Sequence, residues 1–312
     1  VFGIVIAFAP AAGPTVAGII IDQANWHIMF WIIAVLCAAV IVFAAAALER
    51  GGETNKDVKL DVASVILSTL GFGGLLYGFS SASTLGWGNA VVVDSIVVGV
   101  VALAWFIHRQ LHIDEPLLQL RALKTPTFAY SAVIVTVVNS ALAVGSVILP
   151  IYLQNVLGLT AFETGILMTP GAVATIFLSP VSGMLFDRFG PRVIAIVGLT
   201  GLTASLAALS FVDDKTMVAY LVVFYVIQSS GLTLANMPVT TWGINALPND
   251  MIAHGNAISN TGRQVGGAVS TALIVTVMTM VTAANAEAGP VLSTAAGIDV
   301  AYGISAAVAA VA

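Results

Sequence analysis

Ten apolar runs of membrane-crossing length follow one another along the chain, at about 1–21, 28–48, 62–80, 91–108, 128–152, 163–184, 192–212, 217–244, 254–283 and 298–312. A helix that crosses the hydrocarbon needs about 20 mostly apolar residues. It is favoured there because it satisfies its own backbone amides where no water can. The connections are short and polar, and none is long enough to be a soluble domain. The pattern predicts an all-α polytopic membrane helix bundle.

Composition excludes the alternative of a large soluble enzyme. The chain is 59% hydrophobic and 8% charged, with a mean hydropathy of +1.04. A soluble domain carries about 25% charged residues, and this chain has too few to cover such a surface. Cys37 is the single cysteine, so no intramolecular disulfide can form. His27, His108, His112 and His254 are scattered, without metal-ligand spacing. No nucleophile–base pair and no phosphate-cradling glycine loop with a lysine is present. The expectation is therefore a protein that is not an enzyme, with no cofactor, no metal and no nucleic-acid partner. Val1 and Ala312 both lie inside apolar runs, which reads as a piece of a longer membrane protein.

Cations fix the sidedness. Cytoplasmic loops collect Lys and Arg. Placing 185–191 in the cytoplasm puts Arg50, Lys56, Lys59, Arg109, Arg121, Lys124, Arg188 and Arg192 on that side, and Lys215 alone on the other. The turn itself reads Gly183-Met-Leu-Phe-Asp187-Arg188-Phe-Gly190-Pro-Arg192. Gly190 suits the end of one helix and Pro191 the first turn of the next. Asp187 is close enough to meet the positive end of that next helix.

This G-x-L-x-D-R-x-G-x-R order resembles the loop signature of the major facilitator superfamily. The first span adds Ala9-Pro-Ala-Ala-Gly13-Pro14-Thr-Val-Ala17-Gly18, similar to the antiporter signature in the fifth span of drug:proton antiporters, with Ala9 and Ala17 in place of two glycines. Ala9, Gly13 and Ala17 recur every four residues, a flat face that a second helix can approach closely. Tyr152-Leu-Gln154, Gly158-Leu-Thr160, Glu163-Thr-Gly165 and Pro170-Gly171 follow in the order of the fourteen-span branch. Physically, Thr160 and Glu163 fit a capping box.

Polar residues inside the spans are the candidates for chemistry, because they face a bundle interior or a cavity rather than lipid. Asn139 and Ser140 lie at mid-depth of the fifth run. Gln228, Ser229 and Asn236 lie in the eighth, with Gln228 and Asn236 on one face. They predict a substrate cavity, the alternative being helix–helix hydrogen bonds worth about 0.6 kcal/mol each. Asn256, Asn260, Arg263 and Gln264 fall at i, i+4, i+7 and i+8, one polar stripe entering from the cytoplasmic end. Arg263 either snorkels to the headgroups or lines a water-filled vestibule, and the polarity of the stripe favours the vestibule. The runs at 62–80 and 91–108 carry no polar constellation. Asp22, Asp61, Asp94, Glu163 and Asp299 are read as lying at helix ends.

The resemblance implies a major facilitator fold of the fourteen-span drug:proton antiporter kind, covering spans five to fourteen. Residues 1–48 would be the last two helices of the N-terminal half. Residues 49–127 would hold two linkers and two inserted spans, and 128–312 the C-terminal six-helix half. The implied function is proton-coupled efflux of a small organic compound by alternating access, in a bacterial inner membrane. Its partners would be the lipid bilayer, the substrate and protons. A periplasmic adaptor is left open, with no residue that announces it. A carrier for one metabolite, and a non-transporting receptor or scaffold, remain as alternatives.

Overall fold

The computed structural model describes residues 13, 16–22, 27–47, 61–113, 116–212 and 216–311. Ala9 and Pro14 of the kinked first run lie outside them, as do Arg50, Lys56, Lys59 and Lys215. Among the described residues eight helical elements are long and apolar enough to cross a membrane. They are α1 (His27–Ala47), α2 (Val62–Leu85), α3 (Ala90–His112), α4 (Pro126–Asn155), α5 (Ala161–Ala208), α6 (Val218–Ile244), α7 (Ile252–Ala284) and α8 (Pro290–Val311). The all-α expectation holds across the described residues.

Two boundaries differ from the sequence reading. The runs at 163–184 and 192–212 are two helices that follow each other without an intervening loop, together 48 residues and labelled α5. At about 1.5 Å per residue that is roughly 72 Å, more than twice the thickness of the hydrocarbon. The element is broken at Gly190, where φ is 77° and ψ 169°. Contacts with α6 show the reversal. Before the break, Gly171 faces Tyr225 and Ser229, and Ser182 reaches the Thr233 carbonyl. After it, Gly198 faces Gly231 and Ala235, and the Ala208 carbonyl accepts from Tyr220 at 2.8 Å. The register on α6 rises and then falls, so α5 is two antiparallel spans joined at one residue. The second difference is α8, which begins at Pro290, so Asp299 lies within the helix and not at its start.

Helix ends gather at two levels. Gly243 meets Ser131 and Phe128, and Gly255 meets Leu247 and Phe128. The start of α4, the end of α6 and the start of α7 therefore share one end of the bundle. Phe128, Ala122, Ala132 and Leu247 form a small apolar cluster there. Arg121 and Lys124 precede α4 at that same end. Arg188 and Arg192 flank the α5 break, beyond the Gly198–Ala235 contact and so toward it.

The main core lies between α4, α5, α6, α7 and α8. Ile148, Tyr152, Leu202, Leu206, Ile298 and Tyr302 are all buried in it. By contrast, no residue of α1 is buried.

The hairpin α2–α3 is less plain than its sequence. Gly74 and Gly99 let the two backbones touch: a Cβ on Gly74 would sit 2.8 Å from the Ser95 carbonyl oxygen. Equal helix lengths then bring the start of α2 to the end of α3. Arg109 donates to both carboxylate oxygens of Asp61, Nε at 3.1 Å and one Nη at 3.0 Å. Ser64 donates to Asp61, Gln110 donates to Ser64 at 2.6 Å, and the Leu118 amide donates to Gln110 at 2.9 Å. This chain of bonds ties the hairpin to the linker before α4. At the other end, the Trp87 indole donates to Thr276 of α7 at 2.9 Å.

Candidate functional site

A cavity of 1020 Å³ opens among α2, α4 and α7, closed behind by Met168 of α5 and Tyr225 of α6. That is at the upper end of the range of about 300–1,000 Å³ typical of small-molecule sites. Helical periodicity explains which side chains reach it. On α4, Asn139, Ser146 and Pro150 are seven and four residues apart and share a face. On α7, Asn260, Arg263, Gln264, Gly267 and Thr271 do the same.

The sequence candidates divide. Asn139 lines the cavity, its amide donating to the Val135 carbonyl at 2.8 Å. Asn236 stands behind it, with 3.5 Å between the Asn236 amide nitrogen and the Asn139 amide oxygen. Asn236 also takes part in the α6 backbone turn, where Thr240 donates to its carbonyl at 2.7 Å. Ser140 is buried beside Gly266 and donates to the Thr136 carbonyl at 2.9 Å, so it serves helix contact. Ser229 is buried against Gly171. Gln228 is 1% exposed and pressed onto Gly145, off the cavity wall. Neither of its amide atoms has a hydrogen-bond partner among the described residues.

Three of the four stripe residues, Asn260, Arg263 and Gln264, line the cavity together. Asn256, one turn nearer the helix start, is exposed and stands apart from it. Arg263 is half-buried, and its Nε donates to the Ser259 carbonyl at 3.4 Å.

The loop residues lie together at the α5 break. Asp187, Arg188 and Arg192 are exposed, and Arg188 lies 5.2 Å above the Phe189 ring. Asp187 makes no hydrogen bond or ion pair among the described residues. Gly183 has open space where a side chain would project.

From the first run, Gly18 is buried against the start of α5. A Cβ there would meet the Ala161 carbonyl oxygen at 2.6 Å. Asp22 on the same helical turn accepts from the Phe162 amide at 2.8 Å. The Thr160–Glu163 capping box forms with both bonds, at 3.2 and 2.8 Å. Among the described residues Gly13 has nothing near it and Ala17 is half-buried, so the closest approach described is at Gly18, while Ala9 and Pro14 lie outside the described residues.

Sequence reasoning missed Tyr225, Met168, Ser146 and Thr271, and the contribution of α2 through Leu76 and Ser80. Tyr225 sits three residues before Gln228, and that spacing was the available signal.

The family profile described as Major Facilitator Superfamily matches residues 1–271. The MFS-type transporter YcnB of Bacillus subtilis is 44% identical over 276 residues, covering 88% of this chain and 58% of that protein. The lincomycin resistance protein LmrB of Listeria monocytogenes is 38% identical over 276 residues, covering 88% and 58%. The tetracenomycin C resistance and export protein of Streptomyces glaucescens is 26% identical over 275 residues, covering 86% and 50%. The chain thus spans a little over half the length of such relatives. With nearly nine-tenths of its length matched and a bundle of membrane-length helices around a central cavity, the chain belongs to the major facilitator superfamily.

Proposed function

We propose that the chain forms the larger part of a secondary active transporter that exports a small organic compound in exchange for protons. It would sit in a bacterial inner membrane and belong to the fourteen-span branch, with α2 and α3 as the inserted pair and 128–312 as the C-terminal half. The observation that carries this reading is the cavity between α4 and α7, mostly apolar in its lining, with Asn139, Asn260, Arg263 and Gln264 set into its wall. Carriers of this kind work by opening a cavity alternately to each side of the membrane. The names of two relatives, with lincomycin and tetracenomycin C resistance in them, support export and an amphiphilic substrate.

In this reading Asn139, Asn260 and Gln264 contact substrate directly, with Asn236 orienting Asn139. Ser140, Gln228 and Ser229 hold helices together. The turn from Gly183 to Arg192 is the part that changes neighbours between states. No carboxylate lines the cavity among the described residues, so the proton-carrying acid is assigned to spans that relatives carry beyond this chain.

The test is reconstitution of the full-length protein in vesicles with an imposed pH gradient. Lincomycin should move against the gradient of protons and change the internal pH. No movement of lincomycin or tetracenomycin C would leave a carrier for one metabolite or a non-transporting scaffold as the better reading. Within a working transporter, Asn139→Leu should alter the substrate profile at unchanged protein level. Asp187→Ala should slow transport without loss of binding.

A further inference from the structure

Two faces of α2 have different tasks. Gly71, Gly74 and Gly78 lie on one side, where a Cβ on each would come within 3.1 Å of α3, at Leu103, Ser95 and Ile96. Leu76 and Ser80 are four residues apart and project from the opposite side. They enter the cavity wall, together with side chains of α4 and α7. Tyr77, on the flank between the two faces, is 55% exposed.

The hairpin is held in that place at both ends. At the cytoplasmic end Gln110 of α3 accepts from the Leu118 amide, and the linker then runs to Ala122, which packs with Phe128 of α4. At the outer end the Trp87 indole donates to Thr276 of α7, and the Phe79 ring meets Trp87 edge-on at 5.8 Å. Thr276 directly follows Val275, a lining residue. The position of α2 is thus set by contacts with the same two helices that form the facing wall.

Depth decides which part of the cavity α2 shapes. Ser80 lies 18 residues beyond Val62 and Thr271 lies 19 beyond Ile252, about 27–29 Å from the cytoplasmic helix ends. Asn139 and Arg263 lie 13 and 11 residues into their helices, about 17–20 Å. The amides and the guanidinium therefore occupy the inner part. The outer part is bounded by Leu76, Ser80, Ser146, Pro150, Thr271 and Val275, a set of small hydroxyls and apolar groups. Such a wall selects by shape, and a single methylene in an apolar pocket changes discrimination by about 10–200-fold.

We propose that the α2–α3 hairpin is a fixed wall of the substrate cavity, and that Leu76 and Ser80 are specificity-determining residues that limit the width of its outer part. This rests on the transport reading above and names residues that shape its site. The small Ser80 side chain leaves room beside Thr271 for a bulky substrate. A large side chain at that position closes the room.

The test is thiol labelling of the full-length protein in membrane vesicles, with its native cysteines replaced. Ser80→Cys, Thr271→Cys and Tyr77→Cys are each exposed to a membrane-impermeant methanethiosulfonate. The thiolate is the reacting form, and apolar surroundings raise the pKa of a thiol and slow it. Ser80→Cys and Thr271→Cys should react at least about tenfold faster than Tyr77→Cys, because the thiolate fraction falls tenfold for each unit the pKa rises. In a second measurement, Ser80→Phe should lower lincomycin transport at least about tenfold at unchanged protein level, and Ser80→Ala should change it less than about threefold. Reaction of Thr271→Cys without Ser80→Cys would overturn the proposal and leave the transport reading standing. So would full lincomycin transport by Ser80→Phe. Equal reaction of Tyr77→Cys would also overturn it, since α2 would then be wetted all round. Reaction of neither Ser80→Cys nor Thr271→Cys would remove the cavity and count against both readings. The labelling needs no transport, so it decides the placement of α2 whether or not lincomycin is carried.

Discussion

Arg109 and Arg263 mark two regions that treat the same side chain in opposite ways. At the mouth of the α2–α3 hairpin, Arg109 is closed by Asp61, Asp61 by Ser64, Ser64 by Gln110, and Gln110 by the backbone of the linker. Each link of that chain is a donor meeting an acceptor of the same polypeptide. On the cavity wall, Arg263 meets its own helix through one long bond. The first region is complete as folded, and its charges hold shape. The second leaves the other donors of the guanidinium without an acceptor among the described residues, on the wall of a cavity.

The comparison breaks most sharply if the cavity is made to resemble the hairpin mouth. Asn260 lies three residues before Arg263, on the same face. Asn260→Asp places a carboxylate within reach of the guanidinium. Transport by the full-length protein should fall by at least about tenfold at unchanged protein level, the equivalent of about 1.4 kcal/mol. Unchanged transport would mean that Arg263 takes no part in it.

The converse change makes the mouth resemble the cavity. Hydrogen bonding from Arg109, then from Ser64, holds the Asp61 carboxyl down from 3.8 to about 2. A depressed carboxylate stabilises the fold above its unfolded pKa, and that contribution is lost as pH falls through the folded value. Amide hydrogen exchange at 62–65 and 116–120, corrected for intrinsic rates, should therefore be flat from neutral pH down to about 5. It should rise as pH falls from 3.8 toward 2. Asp61→Asn should show raised exchange at all pH values and no such transition. A transition that persists in Asp61→Asn would assign it to another acid.

Two smaller effects sharpen the contrast. Gln228 is an amide buried with no partner among the described residues, and such a group costs about 1–3 kcal/mol. Gln228→Met should raise the thermal midpoint in detergent by the equivalent of about 1 kcal/mol, with substrate binding kept. Lost binding would move Gln228 back among the substrate contacts. Trp87→Phe removes the bond to Thr276 at the outer end of the hairpin, and should cost about 0.6 kcal/mol. A loss several times larger would mean that the hairpin is docked on α7 mainly through that bond.

Much of this architecture was legible in the sequence, because apolar run length and loop cations respond to the bilayer and not to tertiary detail. The capping box at Thr160 was legible for a similar reason, since it is local. The cavity was legible in part. Asn139, Asn260, Arg263 and Gln264 were found, but Gln228, Ser229 and Ser140 look the same in sequence and are packed between helices. A polar residue in an apolar run must avoid lipid, and periodicity alone does not say whether it meets a neighbouring helix or a void. The Asp61–Arg109 closure was missed because each residue was read on its own run. Pairing the ends of two adjacent runs of equal length would have brought them together. The α5 break was read as a turn of several residues because its charges span ten positions, while the backbone departs from the helix at Gly190 alone.

That single departure has a mechanical consequence. Gly190 adopts a φ and ψ that glycine alone occupies without strain, and any side chain there would cost about 1–3 kcal/mol from the backbone although the space around it is open. Two membrane spans therefore share a joint with no slack. A conventional loop would let one span tilt while the other stayed still, as a rope passes little torque between two poles. Here a rotation of the Met168 arm that faces the cavity must be taken up at one pair of dihedral angles or passed whole to the Leu202 arm in the core. The two spans behave as the limbs of one bent lever, with the exposed Asp187, Arg188 and Arg192 placed at its fulcrum.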